Sequence, residues 1–155
     1  MAKTSRRVIH SGVAAAVLAS LFGFVYARHV DWPTQADEVP LNLAHVFGTD
    51  ASSVRAFYIY DLGGFIDHEW LWRIECEADT VALIITRFRL HATNTIPQQF
   101  WEMPPHYWPR SMPSGAEAFQ SSSFYADSRG PDGPHYFLLH DKTHGRAFVW
   151  FKSNF

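Results

Sequence analysis

The chain is poor in the residues from which most recognisable chemistry is built. A single cysteine among 155 residues, Cys76, excludes an internal disulfide and any multi-cysteine zinc site. Cys76 stands between Glu75 and Glu77, after the stretch WLWRI, so neighbouring carboxylates and burial both disfavour its thiolate. A small buried apolar side chain is expected there, not a nucleophile. His68 opens HEW but does not continue to HExxH, which removes the zinc-protease helix. GxSxG is missing, and so are a P-loop and a dinucleotide fingerprint; DLGG and RGPDG are turn chemistry. Glycoside hydrolysis needs two carboxylates across a cleft, and Glu102 beside Trp101 is the one acid in a suggestive setting.

Charge is also missing where it matters. Val8 to Ala27 contains no Lys, Arg, Asp or Glu, whereas Lys3, Arg6 and Arg7 precede it. Residues 1–28 therefore read as an address segment. Val13 to Ala27 fits a secretory h-region, with Val25 and Ala27 at the spacing of a cleavage site. Uncleaved, Val8 to Ala27 would just cross a bilayer, at about 1.5 Å per residue against about 30 Å of hydrocarbon. Both readings, signal peptide and signal anchor, stay open. Both export the rest of the chain, because the basic residues precede the apolar run and Asp31, Asp37 and Glu38 come after it. The expected location is extracytoplasmic, either anchored to the cytoplasmic membrane through residues 8–27 or secreted after cleavage. From His29 onward nine basic residues face 15 acidic ones, a balance that repels a phosphate backbone and argues against nucleic acid as a partner.

What is abundant is apolar and aromatic: 47% and 16% of the residues. That much bulky apolar surface predicts a packed core from about residue 54. Residues 29–52, with Pro33, Pro40 and mixed polarity, read as a tether carrying a turn of helix near Leu41 to Phe47, and 53–155 as the globular domain. VRAFYIY predicts a strand. EWLWRIEC alternates, with Trp70, Trp72, Ile74 and Cys76 on one side and Leu71, Arg73 and Glu75 on the other, and predicts its antiparallel partner. Val81, Ile84, Ile85 and Phe88 fall at helical spacing, with Asp79 or Thr80 as N-cap candidates and Arg87 and Arg89 at the end. GAEAFQSSSFYA predicts another strand. HYFLLH and RAFVWFK, flanking DKTHG, predict a hairpin in which Asp141 starts the turn and Gly145 supplies a positive φ. The expected fold is α+β: a small antiparallel sheet of four to five strands with one main helix, preceded by an N-terminal transmembrane or signal helix.

The final hairpin carries a further expectation. On RAFVWFK, Phe148 and Trp150 face one side and Ala147, Val149 and Phe151 the other; on HYFLLH, Phe137 and Leu139 oppose Tyr136 and Leu138, so both faces of the hairpin are apolar. One helix cannot cover both. FWEMPPHYWPR, Phe100 to Arg110, puts four aromatic rings and three prolines into one stretch and is the candidate second layer. The alternative is that Trp101, His106, Tyr107 and Trp108 stay exposed and form a ligand-binding platform for a sugar or a proline-rich peptide.

Chemistry-bearing clusters are thin. Strand and turn spacing do not gather the histidines as a helix would, so no metal and no cofactor are expected, even where Asp141 sits beside His140 and His144. Asp67, His68 and Glu69 point to alternate sides of an extended segment. Ser121 to Ser123 has no base at recognisable spacing and reads as a polar strand end. The order of elements resembles that of small bacterial exported proteins, in which a PP-x-x-W-P-like loop, here Pro104 to Pro109, precedes a hairpin with a D-x-x-x-G turn, here Asp141 to Gly145. That resemblance implies an architecture and no activity. The leading functional expectation is a non-enzymatic interaction or binding module of the bacterial envelope, using the aromatic–proline segment or the sheet surface on an envelope protein or glycan. The alternative is a metal-dependent or acid/base hydrolase built on His68, Glu69, His106, His140 and His144.

Overall fold

A computed structural model of the chain describes residues 16–21, 53–62, 68–125 and 130–154. Contacts divide the chain into two units, residues 1–32 and 33–155. In the first unit residues 16–21 are helical. Among the described residues no helix is long and apolar enough to cross a membrane. The rest of the expected address segment and the expected tether lie outside the described residues.

The second unit is predominantly one sheet. Its strands are β1 (Val54–Asp61), β2 (His68–Cys76), β3 (His91–Thr93), β4 (Glu117–Gln120), β5 (Gly133–Asp141) and β6 (Arg146–Asn154). They lie in the order β1-β2-β6-β5-β4-β3, and every neighbouring pair is antiparallel. Two helices complete it, α1 (Ala78–Arg87) and the single turn α2 (Gln98–Trp101). The sheet thus has six strands, where the sequence pattern predicts four or five. The additional one is β3, three residues of mixed polarity that pair with β4 and bury no apolar side chain of their own. A strand that short leaves no alternation to read.

The period-2 pattern of β2 does what it predicts. Trp72, Ile74 and Cys76 enter a core layer with Val54, Phe57, Leu138, Ala147 and Val149, which α1 closes with Val81 and Ile84. α1 begins without the expected side-chain cap: its N-cap is Glu77, whose side chain makes no capping hydrogen bond, and Thr80 is instead buried. Arg87 occupies the last turn, whereas Arg89 lies beyond it at a positive φ of 52°, where its N–H donates to the Thr86 carbonyl and ends the helix.

The opposite face is the expected second greasy side, and the aromatic–proline segment covers it. Leu71, Phe137, Leu139, Phe148 and Trp150 form a second core layer with Phe100, Met103 and Trp108. Phe100 is fully buried, 5.1 Å from the Phe137 ring and 5.0 Å from that of Trp108. Trp108 meets Phe148 edge-on at 5.5 Å. A ten-residue helix is about 15 Å long and lies on one side only, so this strap is what keeps the other side from water. The hairpin closes as expected: Asp141 Oδ1 accepts from the His144 N–H, and Gly145 has φ +60°. The Gly145 carbonyl also accepts the Cys76 N–H, tying the turn to the end of β2.

Candidate functional site

The strap is held at both its buried and its exposed levels. Below, the Trp108 indole N–H donates to the Phe100 carbonyl at 2.7 Å, which satisfies a donor that would otherwise be stranded in the core. Above, the Arg110 guanidinium donates to the carbonyls of Trp101, Met103 and Pro105, at 3.3, 2.6 and 3.2 Å. One fork of fixed geometry therefore gathers three backbone acceptors in a proline-stiffened loop. The four candidate ligand residues separate accordingly. Trp108 is buried; Trp101 and Tyr107 are partly buried, and His106 is exposed.

Tyr107 leans on Tyr58 of β1 with ring centroids 5.2 Å apart, and Tyr58 in turn lies beneath the Arg73 guanidinium at 4.6 Å. His106 packs edge-on against Tyr107 at 5.7 Å. A stack thus rises from the sheet, through Arg73, Tyr58 and Tyr107, to an imidazole in solvent. Its tip, His106 with the outer parts of Tyr107 and Trp101, is the portion of the strap able to meet a partner.

The other sheet face carries a row of rings across three strands. Trp70 pairs with Phe151, and Phe151 with Tyr136. Trp70 and Phe151 lie 5.3 Å apart at 29°, Trp72 and Phe151 5.8 Å apart at 10°, and Phe88 covers Tyr136 at 4.0 Å and 16°. Such spacings at small angles are offset stacks, in which the faces are turned to one another. Burial, opposed by Arg87, raises the Tyr136 phenol to about 12, so it stays protonated at neutral pH.

The residues expected to serve a hydrolase do not converge. His68 and Glu69 are successive residues of β2, His106 tops the strap, His140 is buried in β5, and His144 sits in the hairpin turn with Nδ1 2.8 Å from Asp141 Oδ2. Burial, with Lys142 adding to it, lowers the His140 pKa against the opposing pull of Glu117 and Asp141. Among the described residues no group of three or more His, Cys, Asp or Glu is placed to hold a metal ion. Burial is also the chief reason the Cys76 thiol rises to about 12, with Glu77 adding to it and Arg55 opposing. A cavity of about 430 Å³ lies beside β3 and β4, lined by Thr93, Asn94, Ile96, Met112 and Glu117 among others. Glu117 is the one ionisable residue among those lining it, and its carboxylate is paired with Lys142 at 2.5 Å.

One polar cluster is not anticipated by the sequence pattern. Glu69, Lys152 and His135 are register partners across β2, β6 and β5, on the face shared with Trp150 and Phe137. His135 is 2% exposed and Lys152 7%. Ser123 approaches His135 from a turn twelve residues earlier, with Oγ 2.9 Å from Nδ1. The alternation of β5 and β6 places His135 and Lys152 on an inward face, which is the one available signal; the strand pairing that aligns them has none. Compared with protein-family models, curated proteins and solved structures, the chain matches none.

Proposed function

We propose that this protein is an exported, membrane-tethered binding module of the bacterial envelope, which presents the tip of its aromatic–proline strap to an envelope protein or glycan. The carrying observation is the Arg110 fork, whose three carbonyl contacts fix a loop that leaves His106 exposed and Trp101 and Tyr107 partly so. A loop ordered before it binds loses little conformational entropy on binding. Trp108, in this reading, is the buried support of the surface that Trp101, His106 and Tyr107 form. Support for export and tethering comes from the sequence: three basic residues, then the uncharged stretch Val8 to Ala27, then an acidic flank. That stretch acts as a signal anchor or a signal peptide, and the tether of residues 29–52 sets the reach of the domain.

The test is co-sedimentation of residues 33–155, the compact unit that lacks the apolar N-terminal stretch, with isolated cell-envelope fragments. Wild type is expected in the pellet, and the double variant Trp101→Ala, His106→Ala in the supernatant with an unchanged circular dichroism spectrum. Equal sedimentation of the two proteins would remove the strap tip as the binding surface.

A further inference from the structure

The cluster around His135 is independent of the strap and lies on a different part of the same sheet face. His135 Nε2 is 2.8 Å from the Pro131 carbonyl. A carbonyl only accepts, so Nε2 carries the proton, and in the neutral imidazole Nδ1 is then the unprotonated nitrogen. That nitrogen faces Ser123 Oγ at 2.9 Å, and the hydroxyl therefore donates to it. Burial of the imidazole and its two fixed contacts hold this tautomer, while Ser123 itself is exposed to solvent. The Tyr125 ring meets His135 edge-on at 5.0 Å and lies under the Lys152 ammonium at 4.5 Å. A reachable hydroxyl, a base of defined tautomer and a cation are thus assembled around one ring.

From this geometry we propose that Ser123 and His135 form a nucleophile–base dyad for hydrolysis of carboxylic esters. Ser123 Oγ bonds to the ester carbonyl carbon as its proton passes to His135 Nδ1. The tetrahedral intermediate collapses with cleavage of the acyl carbon–oxygen bond, and the leaving alkoxide takes that proton from His135. Water then adds to the acyl-serine, gives its proton to Nδ1, and expels Ser123 Oγ, which recovers the proton. The sum is ester plus water to acid plus alcohol. Esters are the matching class because the group orienting His135 is a neutral carbonyl. A carbonyl stabilises an imidazolium less than a carboxylate does, which favours the better leaving group over an amide.

The full-length protein in detergent is treated with a fluorophosphonate probe, and the labelled position is mapped by peptide mass spectrometry. Labelling of Ser123 at least about 100-fold faster than of Ser121 or Ser122 is expected, the order of rate that a positioned base supplies. It is expected to vanish in urea and to persist in Ser122→Ala. Hydrolysis of p-nitrophenyl acetate should fall to the uncatalysed rate in Ser123→Ala, a change at an exposed position that leaves the fold intact. Labelling of Ser123 no faster than of its two neighbours, or equal labelling in urea, overturns the dyad. Envelope binding through the strap is unaffected by either result, since none of these residues belongs to it.

Discussion

Replacing Trp108 with alanine should be among the most damaging single changes in the strap, and the structure sets its size. The side chain is 2% exposed, packs against Phe100 and meets Phe148 edge-on. Removing a buried Trp and leaving a cavity costs about 3–5 kcal/mol. The Phe100 carbonyl also loses its 2.7 Å donor inside the core, which adds about 1 kcal/mol. The total, about 4–6 kcal/mol, is a large share of the about 5–15 kcal/mol that holds an ordinary domain together. Trp101, partly exposed and on the same strap, should cost only about 1–2 kcal/mol by the area it buries. Urea unfolding followed by far-ultraviolet circular dichroism measures both without relying on tryptophan emission. With a slope of about 1–3 kcal/mol per molar, the Trp108→Ala midpoint should fall by roughly 2 M. Trp108→Phe, which keeps a ring and loses the donor, should fall between the two. If Trp108→Ala is no more destabilising than Trp101→Ala, the strap is not the second layer of the core.

Arg110→Met removes the fork but keeps much of the apolar stem; a loss of about 1–2 kcal/mol is expected, with faster protease cleavage between residues 101 and 110. Cys76, with its thiol raised to about 12, should resist iodoacetamide at pH 8 in the folded protein and react fully in urea. His140, whose pKa is lowered by burial, binds its proton more weakly folded than unfolded. Stability from this group is therefore complete above the unfolded pKa near about 6.5, and declines as pH falls through and below it. Thermal unfolding between pH 7.5 and 5 should show that decline, and His140→Gln should flatten it.

Legibility in the sequence tracks the strength of local pattern. β2, β5 and β6 combine alternation with β-branched and aromatic residues, so even their faces are readable: Trp72 and Ile74 against Leu71, and Val149 against Trp150. The apolar character of both faces also reveals that a second layer is needed, and the rings of Phe100 to Trp108 identify it. β3 is invisible because three polar-edged residues carry no period; tertiary pairing with β4 makes it a strand. The N-cap differs from the expected one because Thr80 faces the core, where burial outweighs its capping preference. The Ser123–His135 contact is beyond reach for a different reason. It depends on how a turn folds back over β5, and no spacing rule encodes that.

The position of β6 has a consequence for how the protein is made. This strand, Arg146–Asn154, is inserted between β2 and β5, so the two halves of the sheet have no direct link until it arrives. A nascent chain that has emerged only as far as the hairpin turn presents two unzipped, oily margins, one on each half. Such a topology is slow to close, because its pairings span most of the domain. A chain that cannot lock early stays pliable during synthesis, which is the condition that the proposed export, by threading through a narrow channel, demands.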